Sequence, residues 1–223
     1  MEKSTPFTRN YQALDFTSYQ QLRAKPHHAN QLIASYQKTF SEPDVWAEDY
    51  SYEEVDQKLK NELAGDAYLR IVIDEKKQNQ VAAFCWAQLL NADEILTSIR
   101  SIQYYQTIGE PDLSKPLYDI IGDDSILYLH DLAITEEYRG KVNLQKLILP
   151  VLQDIATRTG ISTLFFWSVE GTRISSLANR AGIDLVTTSN GIQFFKGNIR
   201  LNECNSTQLA RMSHQSCEPL LPL

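Results

Sequence analysis

The residues best suited to chemistry lie in one segment of the sequence, from Ile126 to Leu144. A hydrophobic run typical of a buried strand contains the neighbours His130 and Asp131. Either side chain could act as a general base: an unperturbed imidazole titrates near neutral pH, whereas a carboxylate needs a raised pKa or a water relay. Because side chains alternate along a strand, we expect the two on opposite faces, so that only one faces a substrate.

The sequence Tyr138-Arg139-Gly140-Lys141 follows an acidic turn and opens a long amphipathic helix. The N-terminus of a helix attracts anions, because its backbone N–H groups are unpaired and the helix dipole is positive there. Arg139 and Lys141 add positive charge, so the segment predicts a phosphate site. The alternative is an ordinary helix start with two solvated basic side chains. An ATP site is the less favoured form of this hypothesis, since the Gly-x-x-x-x-Gly-Lys-Ser/Thr loop is lacking.

The spacing of hydrophobic residues predicts the elements that position these groups. We expect strands at 11–16, 67–74, 80–90, 126–134, 162–168, 184–188 and 191–196, and helices at 28–40, 51–65, 142–159 and 172–181. The strands at 67–74 and 80–90 should form an antiparallel hairpin. Pro150 should kink its helix unless a neighbour compensates. This order predicts an α/β protein of the α+β type with a mixed sheet.

An insertion at about 93–124 interrupts the pattern. Its first part has helical spacing in Ile95, Ile99, Ile102, Tyr105 and Ile108. Pro111, Pro116 and Gly122 favour a loop after it. We expect one domain over residues 1–200, with this insertion, and a mobile tail over 201–223.

Composition excludes several functional classes. The 223 residues carry a formal net charge of -7, which argues against general attraction to nucleic acid. No apolar run has the roughly 18 residues needed to span a bilayer, and the N-terminus lacks the apolar core of a signal peptide, so we expect a cytoplasmic protein without membrane contact. The three cysteines show no metal-ligand spacing, no metal site is expected, and Cys85 should be a core residue.

Several motifs together resemble the GNAT superfamily of acyl-CoA-dependent N-acyltransferases. Leu132-Ala133-Ile134, Glu136-Glu137 and Tyr138-Arg139-Gly140 match the layout of the family's fourth strand and the turn after it, and the segment from Leu177 to Ile183 is similar to its closing helix. The resemblance covers residues 11–199 and is most specific at 129–152. It implies a GNAT-like fold with a mixed, centrally splayed β-sheet flanked by helices.

The resemblance also implies a function and a site. The co-substrate would be acetyl-CoA, and coenzyme A would enter a gap between the fourth and fifth strands. Its pantetheine arm would bind the main chain of Leu132, Ala133 and Ile134. The pyrophosphate would bind N–H groups of the loop, whose residues are Arg139, Gly140, Lys141, Val142, Asn143 and Leu144. An acetyl group would pass by direct attack to a small-molecule amine or a protein amino group. The family often has a Glu near the position of His130 and Asp131.

Three positions depart from the family's pattern and support an alternative. Val142 and Leu144 stand where the family has small residues, and Ala178 stands where many members carry a Tyr that protonates the departing thiolate. The alternative is a catalytically inactive GNAT-like protein that binds coenzyme A or a protein partner. For the acceptor site, several aromatic residues are candidates, although we expect most of them to be core. They are Phe40, Trp46, Tyr50 and Tyr52, where the family's first two helices border the acceptor site, and Trp86, Tyr128 and Trp167 on strands near the sheet centre.

Overall fold

The computed structural model of the chain describes residues 11–42, 48–101, 114–121, 124–180 and 183–199. The strands are β1 Tyr11–Phe16, β2 Ala67–Asp74, β3 Gln80–Leu90, β4 Ile126–Ile134, β5 Thr163–Val169, β6 Asp184–Ser189 and β7 Ile192–Asn198. The helices are α1 Tyr19–Arg23, α2 Pro26–Phe40, α3 Tyr52–Glu62, α4 Ala92–Arg100, α5 Ser114–Ile121, α6 Leu144–Thr159 and α7 Arg173–Arg180.

The seven strands form one mixed sheet in the order β1-β2-β3-β4-β5-β7-β6. All neighbours are antiparallel except β4 and β5, which run parallel. These two strands pair only at Leu127 with Leu164 and at Tyr128 with Phe165. Beyond these two pairs the described residues of β4 and β5 form no ladder, so a gap opens between the strands. The predicted mixed, centrally splayed sheet is confirmed.

Helices cover both faces of the sheet. On one face α6 and α7 pack against β2, β3, β4 and β5. On the other face α1, α2 and α3 cover the half of the sheet that contains β1, β2 and β3. The helices α4 and α5, which come from the insertion, cover the half that contains β5 and β7. This second face therefore has a seam between α3 and α4, and β4 lies beneath it.

Local signals explain where several elements begin and turn. Ser51 and Glu54 form a capping box at the start of α3, where the side chain of each residue accepts the backbone N–H of the other. The β6–β7 hairpin turns at Asn190 and Gly191, which both have positive φ and suit the right-handed twist of the strands. Gly160 ends α6 in the left-handed conformation, which costs a residue without Cβ little.

The predicted loop after the first part of the insertion is wrong in one respect, because α5 lies there. Pro116 is the third residue of α5, in the first turn, where a missing N–H removes no helical hydrogen bond. Leu117 and Ile121 are buried one turn apart in the cluster beneath α4. The predicted helical residues Ile102, Tyr105 and Ile108, the aromatic candidate Trp46 and the tail 201–223 lie outside the described residues.

Smaller features complete the comparison with the sequence patterns. The five-residue helix α1 is not predicted, because it is too short to show periodicity. Cys85 is fully buried, as predicted. Within the described ranges, no helix combines the length and hydrophobicity needed to cross a bilayer. The division into one domain and a tail stays a prediction.

Pro150 lies inside α6, and a side chain from the sheet compensates for its missing N–H. The carbonyl that Pro150 leaves without a helical donor belongs to Lys146, four residues earlier. The Nη1 atom of Arg70, on β2, donates to this carbonyl at 3.3 Å. Arg70 also forms a two-point ion pair with Asp15 of β1, at 2.6 and 2.7 Å. The guanidinium therefore ties α6 to the first two strands.

Candidate active site

A β-bulge brings His130 and Asp131 to the same face of the sheet, so the prediction that they lie on opposite faces is wrong. In the ladder with β3, Trp86 pairs with Asp131, and the next residue, Ala87, pairs with Leu129. His130 has no partner of its own in this register and is the extra residue. A bulge of this kind interrupts the alternation of side chains at one position.

The residues on either side of the bulge confirm the change of phase. Leu129 packs in the cluster beneath α6, and so does Leu132, three residues later rather than two. Ala133 packs on the opposite face, against α2 and α3. His130 and Asp131 also point to that second face, where both contact α3. Both candidate bases are therefore present at one site.

Two charged residues of α3 meet them there. Lys58 Nζ lies 2.6 Å from Glu62 Oε1 and 3.3 Å from Asp131 Oδ2. His130 Nδ1 lies 3.4 Å from the same Glu62 oxygen. The side chains of Lys58, Glu62, His130 and Asp131 are 18%, 10%, 3% and 11% exposed. We refer to these four residues as the buried charge cluster.

The two carboxylates of the buried charge cluster, Glu62 and Asp131, differ in their hydrogen-bond partners. Glu62 Oε2 accepts a hydrogen bond of 2.7 Å from the indole N–H of Trp86. Asp131 Oδ2 is paired with Lys58 by charge alone, because that buried oxygen lacks an aligned hydrogen-bond donor among the described residues. Glu62 is therefore the better stabilised carboxylate.

The pKa values of the cluster follow from burial and from these contacts. Burial raises the pKa of Asp131, and the negative charge of Glu62 adds to the increase, although Lys58 opposes it. Burial alone would raise the pKa of Glu62, but His130 and Lys58 hold it well below its ordinary value. Burial alone would lower the pKa of Lys58, but Asp131 and Glu62 raise it above its ordinary value.

His130 faces acceptors at both ring nitrogens. Its Nε2 atom lies 3.1 Å from Gln88 Oε1. The amide of Gln88 is oriented by its own N–H donor, which binds the carbonyl of Ala64 at 2.9 Å, so the oxygen must face His130. With Glu62 next to Nδ1, each ring nitrogen already has a protein oxygen as its neighbour.

Two cavities meet at the buried charge cluster. A small one of about 10 Å³, about the space of one water molecule, reaches Asp131 and is lined in part by Tyr36, Phe40 and Tyr50. An open groove of about 990 Å³ lies along the seam between α3 and α4 and reaches His130 and Gln88. The aromatic residues Phe40 and Tyr50, which the sequence offered as acceptor-site or core residues, are thus adjacent to the candidate bases.

The loop from Arg139 to Leu144 leads into α6 with its bulky side chains turned inward. Val142 is buried in the cluster beneath α6, and Leu144 packs against that cluster. Gly140 has a φ of +80°, and a Cβ there would meet no atom within 4 Å, so the outer side of the loop is open. Asn143 caps α6 by accepting the N–H of Lys146. The two departures from small residues therefore do not fill the space outside the loop.

The basic residues of this loop already have partners. Arg139 donates from Nη2 to both carboxylate oxygens of Glu42, at 2.6 and 2.7 Å. The ammonium of Lys141 lies 5.7 Å from the centre of the Tyr138 ring. Tyr138 is buried and its hydroxyl donates to Asp74. The loop is anchored by Tyr138, while both cations remain near the surface.

Leu132, Ala133 and Ile134 form the part of β4 that follows the bulge. Each pairs with β3, through Cys85, Phe84 and Ala83 respectively. Their other main-chain edge faces the gap, since β4 and β5 pair only near Tyr128. An extended ligand could hydrogen-bond to this edge as an added strand does.

Ala178 lies on α7 and is buried in the cluster beneath α6. Its position therefore carries no acid and faces the core rather than the gap. Among the residues that the structure describes, His, Cys, Asp and Glu form no group of three that could hold a metal ion.

Sequence patterns missed Lys58, Glu62 and Gln88 as parts of the site. One signal was present: Lys58 and Glu62 are an i, i+4 charged pair directly beside Leu59 and Leu63 of the apolar stripe of α3. Such pairs are also common on solvated helix faces, so the burial seen in the structure is needed to place this one in the site.

No protein-family model matches the chain, and no curated protein matches it by sequence. Solved structures do match. Arylalkylamine N-acetyltransferase 2 from Aedes aegypti is 13% identical, with a TM-score of 0.57 over 86% of this chain and 100% of that one. The PaiA N-acetyltransferase from Thermoplasma acidophilum, solved with coenzyme A, is 12% identical, with a TM-score of 0.52 over 84% and 99%.

NAA60 from Arabidopsis thaliana, solved with a bisubstrate analogue, is 16% identical, with a TM-score of 0.52 over 84% of this chain and 98% of that one. These similarities extend over nearly the whole length of each solved chain. The protein therefore has the GNAT acetyltransferase fold, as the resemblance in sequence implied.

Proposed function

We propose that the protein is an acyl-CoA-dependent N-acyltransferase that transfers an acetyl group from acetyl-CoA to a primary amine. The observation that carries the proposal is the bulge of β4, which turns the buried carboxylate of Asp131 toward α3 next to the gap between β4 and β5. The fold is shared with two N-acetyltransferases, one of them solved with coenzyme A, and this supports the proposal.

The residues around the gap fit a long anionic ligand. The free edge of Leu132, Ala133 and Ile134 would bind the pantetheine arm. The loop of Arg139, Gly140, Lys141, Val142, Asn143 and Leu144 would bind the pyrophosphate at the positive end of α6. The N–H groups of Arg139, Lys141 and Val142 donate to the carbonyls of Glu136 and Tyr138. Within this described loop, Gly140, Asn143 and Leu144 would therefore supply the N–H groups. Bound acetyl-CoA would supply a thioester carbonyl, which a neutral amine attacks directly.

Asp131 is the better candidate for the base that takes the proton from the amine. Among the described residues its Oδ2 atom has Lys58 at 3.3 Å but no aligned hydrogen-bond donor, and burial raises the pKa of its carboxyl. His130 has acceptors at both nitrogens, so we assign it the role of orienting Glu62 and Gln88. The small cavity leads to Asp131, and the groove between α3 and α4 would hold the acceptor.

The acceptor would be a small-molecule amine or a protein amino group. The groove has a volume at the upper end of ordinary ligand pockets, which gives room for more than an amino group alone. Its lining includes Glu54, Asp93 and Glu94, whose carboxylates favour a cationic acceptor over an anionic one.

Calorimetric titration of the full chain with coenzyme A tests the cofactor assignment. We expect binding at micromolar to high micromolar concentrations, weakened by Lys141→Gln and unchanged by Lys60→Gln, an exposed lysine of α3 that serves as the control. In a competition titration the protein should bind coenzyme A in preference to ATP. Absence of binding at high micromolar concentrations, or a preference for ATP, would contradict the proposal.

A second function, a catalytically inactive protein that binds coenzyme A or a protein partner, has one observation in its favour. Ala178 leaves the departing thiolate without the acid that many GNAT members have, and the buried position offers no replacement. Acetyl transfer to any amine that depends on Asp131 would exclude this alternative. Binding of coenzyme A without transfer would support it.

A further inference from the structure

The helix α3 places two charged side chains where an apolar pair would be expected. Lys58 and Glu62 are one turn apart, and Leu59 and Leu63 beside them are fully or almost fully buried. Removing an ion from water costs several kcal/mol, so a buried ion pair is often less stabilising than apolar residues of the same volume. Folding stability alone therefore does not account for this pair.

The pair contacts both members of the β4 bulge rather than one. Lys58 approaches Asp131, and Glu62 approaches His130, while Lys58 and Glu62 bind each other at 2.6 Å. One ammonium thus serves two carboxylates. Glu62 receives the shorter contact and the hydrogen bond from Trp86, whereas Asp131 receives only the longer contact.

We propose that Lys58 and Glu62 are a positioning pair that sets the charge of Asp131 and so determines the pH range in which Asp131 can accept a proton. The catalytic meaning of this pair rests on the proposed function. Lys58 holds Asp131 in its charged form by attraction. Glu62 opposes this, because it occupies the ammonium and repels a second negative charge.

Other titratable groups face Asp131 from the elements around it. They are Tyr36 of α2, Glu48 and Tyr50 between α2 and α3, Cys85 of β3, and Tyr128 and His130 of β4. Burial raises the pKa of Tyr36, Cys85 and Tyr128, so these three stay neutral through the working range. Lys58 and Glu62 of α3 contact the bulge of β4 directly and can be exchanged without altering β4 itself.

Opposite charge changes at the two positions should move the titration of Asp131 in opposite directions. Without the cation, in Lys58→Met, Asp131 should titrate at higher pH. Without the competing carboxylate, in Glu62→Gln, it should titrate at lower pH. A charge at this distance shifts a carboxyl pKa by about 1 unit or more. Lys58→Arg, which keeps the cation, should stay close to the wild type.

Carbon-13 NMR of the aspartate carboxyl groups measures this in the full chain, with the Asp131 signal assigned by its loss in Asp131→Asn. The acid limb of kcat/KM against pH provides the second readout. Lys60→Met, an exposed lysine of the same helix, is the matched control and should move neither. If Lys58→Met does not fold, Lys58→Gln also removes the cation and gives the required comparison with Glu62→Gln.

The possible results separate this inference from the proposed function. Titration shifts of the same sign, or no shift in Glu62→Gln, would overturn the inference even if the enzyme is active. Opposite shifts in a protein that transfers no acetyl group would support the effect of Lys58 and Glu62 on the titration of Asp131 and contradict the proposed function.

Discussion

His130 determines the chemistry of its neighbour by occupying the bulge rather than by its own basicity. Without the extra residue, Asp131 would point to the α6 side of the sheet, among the apolar residues of that cluster. The bulge turns Asp131 toward α3 instead, where Lys58 can pair with it. The one extra residue, His130, thus moves the side chain of Asp131 from the core beneath α6 to the site beside α3.

Arg139 shows a second effect at the scale of one side chain. Its contact with Glu42 satisfies the guanidinium with a carboxylate of the protein, at the loop where a phosphate would bind. Arg139 is 49% exposed, so the exchange of Glu42 for a phosphate oxygen requires no rearrangement of the core.

We expect Glu42→Gln to tighten the binding of coenzyme A by a factor of about 2 to 5, because an exposed ion pair contributes up to about 1 kcal/mol. Calorimetry measures the dissociation constant. Glu137→Gln removes a similar charge from the adjoining turn, where Glu137 binds Lys77, and should have a smaller effect. Equal effects of the two variants, or an effect of Glu42→Gln that persists in Arg139→Gln, would contradict this explanation.

Glu62 makes folding stability depend on pH. Its pKa is lower in the folded chain than its ordinary value of about 4.3, so it contributes stability above that pH and loses it as the pH falls toward the folded value. We expect Glu62→Gln to lower the free energy of unfolding by about 3 kcal/mol at pH 7, because the buried Lys58 loses its carboxylate partner. The difference from the wild type should shrink below about pH 4.3. Denaturant unfolding at several pH values measures it, and a difference independent of pH would contradict the assignment.

At the scale of elements, α6 depends on a donor from β2. The carbonyl of Lys146 would otherwise be left without a partner inside the helix, because Pro150 has no N–H. Since Arg70 also binds Asp15, one side chain joins the helix that follows the loop 139–144 to the edge of the sheet.

A double-mutant cycle on Arg70 and Pro150 tests this compensation. Arg70→Met should cost about 2 kcal/mol in the free energy of unfolding, the range for hydrogen bonds to charged groups. The cost should be smaller by about 1 kcal/mol in Pro150→Ala, because the new N–H at position 150 can bind the Lys146 carbonyl. Denaturant unfolding gives all four values. Additive effects would mean that Arg70 acts only through Asp15.

Elements with local signals could be predicted from the sequence. The capping box of α3 depends on residues three positions apart, and the hairpin of β2 and β3 on a short polar insert, so both are visible in sequence. The bulge at His130 is a property of the pairing of β4 with β3, which alternation along β4 alone cannot show. The same limit applies to α5, whose apolar residues became recognisable as a helical face only where they pack beneath α4.

The same reasoning explains which site residues were found. His130 and Asp131 are adjacent to a recognisable strand and turn. Lys58 and Glu62 come from a different element, and their convergence with β4 depends on how α3 crosses the sheet. Long-range contacts of this kind leave only an indirect mark in a single sequence, here the charged pair beside an apolar stripe.

At the scale of the whole molecule, the sheet carries two different helical covers on one face. The helices α1 to α3 cover one half, and the inserted helices α4 and α5 cover the other, so the groove between them has one wall from the insertion. The splayed strands β4 and β5 lie below this seam. In the proposed function the co-substrate would enter at the gap between β4 and β5, and the acceptor would lie in the groove, which reaches His130.

The measurement that tests the central claim most directly is the transfer of labelled acetyl from acetyl-CoA to a panel of primary amines and peptides. We predict transfer by the wild type, a loss of about 100-fold or more in kcat/KM in Asp131→Asn with coenzyme A binding retained, and wild-type rates in the control Asp184→Asn on the exposed edge of β6. Transfer that is unaffected by Asp131→Asn, or coenzyme A binding with no transfer to any acceptor, would contradict the account.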